Sequence, residues 1–356
     1  MILRPISHCI LPSIAAALGA ISRSGGGGGA PPDPGPDPDP EEPEGAEISG
    51  TAFPGETLTS TAAGQWIVDG SPVPGETGDT YVVRLTDIGK PITQDGASNS
   101  LTCWHPADVP QVKTCRVATL GPVLNAVGPD EEAEEGETVR RWVDIVNGWS
   151  LDQATGSAQP VRRVAFVEGN DTVQFSSSAH RLSATDGDEL DVFRAVGAGG
   201  IVVACLDTNI TGGATNHVVS SHTVNGGTNV RFGINTRNQA AALLRLTDAQ
   251  SSAYSSTAAL SEGWHVIDAV GDFAGGSLTV HVDGVAGTPA TFEGAALPDT
   301  ASAAVHMGAT TSANTYFGGH VACEIKWSGA APPSDAELKR LRRFAGLWVG
   351  LDIPLT

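Results

Sequence analysis

Apolar and polar residues alternate along much of the chain, most clearly between Gly263 and Gly284. Trp264, Val266, Asp268 and Val270 take every second position. Asp272-Phe273-Ala274-Gly275-Gly276 then supplies turn residues, and Leu278, Val280 and Val282 resume the alternation. Strand side chains point to opposite faces in turn, so this period predicts two strands of a sheet with one covered face. The second strand ends in an Asp283-Gly284 turn. Shorter runs predict further strands at Ile48–Thr59, Gln65–Gly70, Thr80–Thr93, Gly200–Leu206, Asn229–Ile234, Ala303–Gly308 and Tyr316–Trp327. Gly197-Ala198-Gly199-Gly200 reads as a turn before one of them.

A single segment carries the helical period. Ser334-Asp335-Ala336-Glu337 is a capping box, in which Ser334 caps and Glu337 reaches back. Leu338, Leu341, Ala345 and Trp348 fall on one face, with Lys339, Arg340, Arg342 and Arg343 expected opposite. The basic residues lie towards the C-terminal half, where the helix dipole favours them.

Composition fits this pattern. The 356 residues include 44 Gly and 23 Pro, as expected of an all-β chain with many turns. Forty acidic against 20 basic residues give a formal charge of −20, which repels nucleic-acid phosphates and anionic membrane surfaces. No run of about 20 apolar residues predicts a membrane helix. The five cysteines show no zinc spacing, and their odd number argues against a disulfide framework. Cys103 and Cys115, in one predicted domain, could pair or stay reduced.

The N-terminal part is of another kind. Residues 1–24 form a short apolar segment, read as an anchor that docks on a partner, with a cleaved signal peptide as the alternative. Residues 25–45 form a stalk: five glycines, then a Pro/Asp repeat that favours an extended chain. Residues 46–118 form a small β domain. An acidic linker at 119–138 follows, its Pro129–Glu137 run read as solvated, and then a large head at 139–356.

Two resemblances add to this reading. Gln65-Trp66-Ile67-Val68-Asp69-Gly70 and Tyr81-Val82-Val83-Arg84-Leu85-Thr86-Asp87-Ile88-Gly89-Lys90 resemble bacterial and phage immunoglobulin-like modules, which implies that Trp66 packs between two sheets. Asp87 and Gly89 would form the corner before the late strand. Gln94 stands where that family often has Cys or an apolar residue. Gln94–Val112 then reads as an insertion exposing Cys103, Trp104 and His105, before a last strand at Thr114–Ala118. In the head, the Trp264–Gly284 hairpin, Tyr316–Trp327 and the final helix resemble laminin-G-like, concanavalin-type jelly rolls, including those of phage structural proteins. The fold expected is therefore an immunoglobulin-like sandwich followed by a concanavalin-like jelly roll with a short C-terminal helix.

Candidate chemistry is sparse. Asp186, Asp188 and Asp191 copy the spacing of a Glu-x-Asp-x-x-Glu glycosidase strand, but with shorter acids at both ends. They are read as a candidate calcium site before a catalytic one. No Gly-x-Ser-x-Gly elbow supports a Ser/His/Asp nucleophile. The polar loops Thr208–Asn229 and Thr310–Tyr316 suit sugar binding, and His222, Asn225, Tyr254 and Tyr316 are candidate ligand contacts. The resemblance implies a non-enzymatic phage virion surface protein. Residues 1–24 would join it to other virion proteins, and the head would hold a host glycan or envelope component. A homo-oligomer, preferably a trimer, would gain avidity from several weak sites. A secreted or cell-surface carbohydrate-binding adhesin is the alternative.

Overall fold

A computed structural model of the chain describes residues 45–125, 131–176, 180–184, 187–208, 217–224, 229–246, 252–309 and 316–355. The expected anchor and all but the last residue of the stalk lie outside these. Residues Gly45–Thr356 form one compact unit.

Among the described residues the fold is all-β with one α-helix. A small sandwich comes first. One of its sheets holds Ile48–Ser49, Thr57–Ser60 and Thr80–Val82, and the other holds Ser71–Pro72, Trp66–Val68, Pro91–Gln94 and Leu101–Thr102. Trp66 is fully buried between them, stacked on Tyr81 at 5.4 Å. The Tyr81 hydroxyl donates to Asp87 at 2.7 Å, which fixes the corner before the late strand. Gln94 is buried and its Nε2 donates to the carbonyls of Gly64 and Gly78, which accounts for a polar residue at this position.

The head is a larger jelly-roll sandwich of antiparallel strands. The first sheet runs, in spatial order, Ser252–Ala259, Gln239–Arg245, Asn229–Arg237, His217–Val224, Ala304–Met307, Leu182–Ala184, Ser150–Asp152, Val139–Val143 and Val123–Asn125. The second runs Val161–Val167, Asn170–Phe175, Gly319–Gly329, Ala198–Asp207, Trp264–Asp272, Ser277–Val282 and Val285–Ala286. The Val112–Val117 strand, expected with the small sandwich, pairs with Gly319–Gly329 of the head.

The predicted hairpin is present, with Ile267 opposite Val282 and Asp272 opposite Ser277. Its burial differs from the one-sided expectation. Ile267, Ala269, Leu278 and Val280 face the inter-sheet core, while Val266 belongs to a second core on the outer face. That outer core is built under the Asp335–Leu347 helix, whose Leu338, Leu341, Phe344 and Ala345 pack with Cys323, Ile325 and Trp327 of the sheet. Ser334 caps the helix and Glu337 reaches back, as the sequence predicts. Arg342 departs from the amphipathic reading. It turns into the sheet and binds both oxygens of buried Asp268, at 2.8 and 2.9 Å. The alternation of Asp268 with Val266 therefore marks a buried ion pair.

The outer core also joins the two sandwiches. Phe53 of the small one lies 5.1 Å from Trp104, which lies 5.5 Å from Phe344 of the helix. Arg343 sits over the Phe53 ring and pairs with Glu56. Trp104 is thus half-buried at a joint and Cys103 is fully buried, contrary to the exposed insertion that was expected. Cys103 and Cys115 are both free thiols in separate cores, so the contemplated disulfide is absent. The acidic run is held to the head as well, because Glu132 pairs with Arg162 and Glu135 with Arg163.

Gly199 and Gly200 lie inside a strand and not in the expected turn. A Cβ on Gly200 would lie 2.2 Å from the Trp327 ring, and one on Gly199 would lie 2.7 Å from Phe193. The glycines make room for one aromatic ring on each face of the sheet. Gly200→Ala is expected to cost about 1–3 kcal/mol by overpacking, read as a lower urea midpoint with an unchanged slope.

Charged residues occupy part of the inter-sheet core. Arg116 grips Glu189 with two bonds of 3.0 and 2.6 Å and reaches Glu324 at 3.2 Å. Lys326 bridges the same two carboxylates at 2.9 and 3.2 Å. Ser220, from the facing sheet, donates to Glu324. All four charged side chains are at most 2% exposed. Burial by itself would raise the Glu189 carboxyl, yet Arg116 and Lys326 overcome it and bring it down to about 2.

Candidate functional site

The described residues among those chosen from sequence do not form one site. His222 is fully buried in a strand of the first sheet, its Nδ1 3.1 Å from Ser302 Oγ and its ring against Phe193. Burial, with Lys326 nearby, holds it well below the usual imidazole range, so it is a neutral core histidine and no surface contact. The stretch Thr208–Asn229, expected as a loop, contains the strand His217–Val224. Tyr254 is 52% exposed on the edge strand of the first sheet, three strands from His222. Tyr316 bridges to Val218 and is half-buried. Asn225 and Asp186 lie outside the described residues.

Asp188 and Asp191 lie on a 3-10 turn, not on a strand, so they do not present a row of carboxylates. Both are exposed, and Asp191 lies 3.4 Å from Arg194. Their neighbour Glu189, passed over in the sequence, is the inward-facing acid. Among the described residues no group of three or more His, Cys, Asp or Glu is placed to hold a metal ion.

What the fold does assemble is a cleft of about 340 Å³ where edge strands of the two sheets meet. Thr257, Ala259, Leu260 and Ser261 line one side, and His265, Val282, Asp283, Val285 and Ala286 the other. Its floor follows from backbone contacts. The Thr288 N–H donates to Ser256 O at 2.8 Å and ties the two sheet edges together. A Cβ on Gly287 would lie 2.4 Å from that same oxygen, so only glycine allows this approach.

The cleft's chemistry comes from the Asp-Gly turn. Asp283 and Gly284 both have positive φ, 51° and 82°, as a two-residue hairpin turn matched to strand twist requires. Val282 and Val285 pair across it. The turn carries the Asp283 carboxylate over the start of the neighbouring strand. Oδ1 accepts the Val266 N–H at 2.8 Å, and Oδ2 lies 2.8 Å from His265 Nδ1. His265 Nε2 lies 3.2 Å from Ser261 Oγ and 3.1 Å from the Ser261 carbonyl oxygen. The bond to Asp283 raises the His265 pKa, against the opposing effect of burial. Val285, 71% exposed, and half-buried Leu260 add apolar surface beside these polar groups.

An aromatic group borders the same strand on its outer face. Phe166, 46% exposed, stacks on His320 at 4.0 Å and meets half-buried Trp264 edge-on at 6.5 Å. The sequence shows the Asp-Gly turn and treats His265 as an ordinary strand histidine. The pairing of the two depends on strand register, which no local motif displays.

No protein-family model matches the chain, and no curated protein matches it. Among solved structures it is similar to the binding domain of botulinum neurotoxin serotype D/C, with 8% identity over 66% of this chain and 52% of that one and a TM-score of 0.40. It is similar also to the receptor binding domain of botulinum neurotoxin mosaic serotype C/D, with 8% identity over 68% and 55% and a TM-score of 0.45. A third is the CBM40 of Ruminococcus gnavus IT-sialidase, solved bound to alpha2,3 sialyllactose, with 16% identity over 50% and 95% and a TM-score of 0.39. The chain spans about half the length of the neurotoxin chains it matches.

Proposed function

We propose that the head is a carbohydrate-attachment domain and that the cleft beside Asp283 holds the sugar. The observation that carries this reading is the cleft itself. A volume of about 340 Å³ suits one or two sugar rings, and the His265–Asp283 pair and Ser261 offer polar groups beside the apolar Leu260, Val282 and Val285. A sugar ring presents hydroxyls at its rim and C–H groups on its faces, which this mixed lining matches.

The chain's organisation supports a wider role. The protein is a phage virion surface component, a tail fibre, spike or head fibre, whose N-terminal segment joins the particle and whose head meets the host envelope. It attaches by holding its ligand, and host polysaccharide keeps its chain length in its presence. Several copies, a trimer by preference, strengthen a weak single site.

Binding of purified host-surface polysaccharide fragments, followed by calorimetry, tests the site. His265→Ala and Asp283→Asn are each expected to weaken binding at least tenfold, about 1.4 kcal/mol or more. Unchanged affinity in both variants would remove the cleft from the reading. Cryo-EM of particles carrying the protein tests the virion role, which a secreted protein cleaved near Ala20 would contradict in favour of an adhesin.

A further inference from the structure

We infer that Ser261, His265 and Asp283 form a nucleophile, base and orienting acid that remove small acyl groups from sugar hydroxyls in the cleft. The three side chains are joined by successive contacts, with Ser261 Oγ 3.2 Å from His265 Nε2 and His265 Nδ1 2.8 Å from Asp283 Oδ2. Roles in such a set are recognised by geometry and not by sequence order or by an elbow motif. Asp283 is itself fixed through the Val266 N–H at 2.8 Å and its place in the hairpin turn. A base oriented by a third, immobilised group is the arrangement that activates a hydroxyl. Ser261 is exposed and faces a cleft with room for an ester.

The steps balance with water as the only co-reactant. His265 donates Nδ1–H to Asp283, which leaves the Nε2 lone pair towards the Ser261 hydroxyl. Ser261 Oγ bonds to the ester carbonyl carbon as its proton passes to Nε2, and the carbonyl π pair moves to oxygen. Collapse breaks the bond to the sugar oxygen, which takes the Nε2 proton and leaves as a free hydroxyl. Water then attacks the acyl-serine in the same way, releasing the carboxylic acid and restoring Ser261. The Ser261 carbonyl, 3.1 Å from Nε2, stabilises the imidazolium that forms in both halves. The apolar Val282, Val285 and Ala286 suit a small acyl chain such as acetyl.

This activity rests on the carbohydrate reading for its substrate, and the two can fail separately. Full-length protein is incubated with a fluorophosphonate probe and, separately, with p-nitrophenyl acetate. Mass mapping is expected to place one adduct on Ser261, and Ser261→Ala and His265→Gln are expected to slow acetate release at least 100-fold. No adduct at Ser261, or equal release by Ser261→Ala, overturns the inference. Polysaccharide binding by wild-type protein without labelling sinks the hydrolytic step alone. Labelling without polysaccharide binding sinks the attachment reading and leaves the nucleophile in place.

Discussion

Arg116→Met is expected to lower the unfolding free energy by about 3–5 kcal/mol, read from urea unfolding followed by tryptophan fluorescence. Arg116 and Lys326 balance Glu189 and Glu324 in a region closed to water. Without Arg116, two carboxylates share one lysine, and the carbonyls of Trp142 and Trp149 lose a donor. A buried charge without a partner costs far more than an intact pair contributes. The double variant Arg116→Met/Glu189→Met restores charge balance around Lys326 and Glu324. It is therefore expected to be more stable than Arg116→Met alone. A double variant that loses the sum of both single losses would show that the four charges do not act as one group.

Acid is expected to destabilise the head in two stages. His306 and His320 are buried and held neutral, both lowered from 6.5 to about 4 by burial first and by nearby cations second. His222 shifts the same way. The unfolded chain binds protons at His306 and His320 below pH 6.5 while the folded chain does not until about pH 4. Stability is therefore complete above 6.5 and lost as pH falls towards 4, with about 3 kcal/mol on each of His306 and His320. Glu189 adds a second stage, since its folded value of about 2 lies below its ordinary 4.5, so its contribution is present above 4.5 and lost on the way to 2. Urea midpoints measured from pH 7 to 4 are expected to fall steeply in wild type and less steeply in His306→Asn/His320→Asn. Equal slopes would assign the first stage to other groups.

The hairpin at Trp264–Gly284, the strands around Trp66 and the capped helix were legible because each is written in local alternation or in a cap. What escaped has a common cause. Arg342 sits among surface-type residues on a helix, yet pairing with Asp268 depends on what lies beneath the helix. Glu189 looks like its exposed neighbours Asp188 and Asp191, and only the 3-10 turn decides which acid points inward. Gly199 and Gly200 read as turn residues because their use is to admit Phe193 and Trp327, and the larger of these rings comes from a strand distant in sequence. The cleft was hidden for the same reason. Ser261 and His265 are close along the chain, but Asp283 joins them only through the register that sets Ile267 opposite Val282. His222 was misjudged in the other direction, because a stretch of Gly, Thr and Asn around it conceals a buried strand.

The Val112–Val117 strand, laid beside Gly319–Gly329, has a mechanical meaning. It leads directly from the small sandwich into the middle of the head's second sheet, with five residue pairs from Val112↔Trp327 to Val117↔Cys323. Tension applied through the small sandwich while the head is held would run along this strand. Its rungs would then be loaded side by side in shear, and would not peel open one after another. Load entering from the small sandwich would therefore be shared by all five pairs at once.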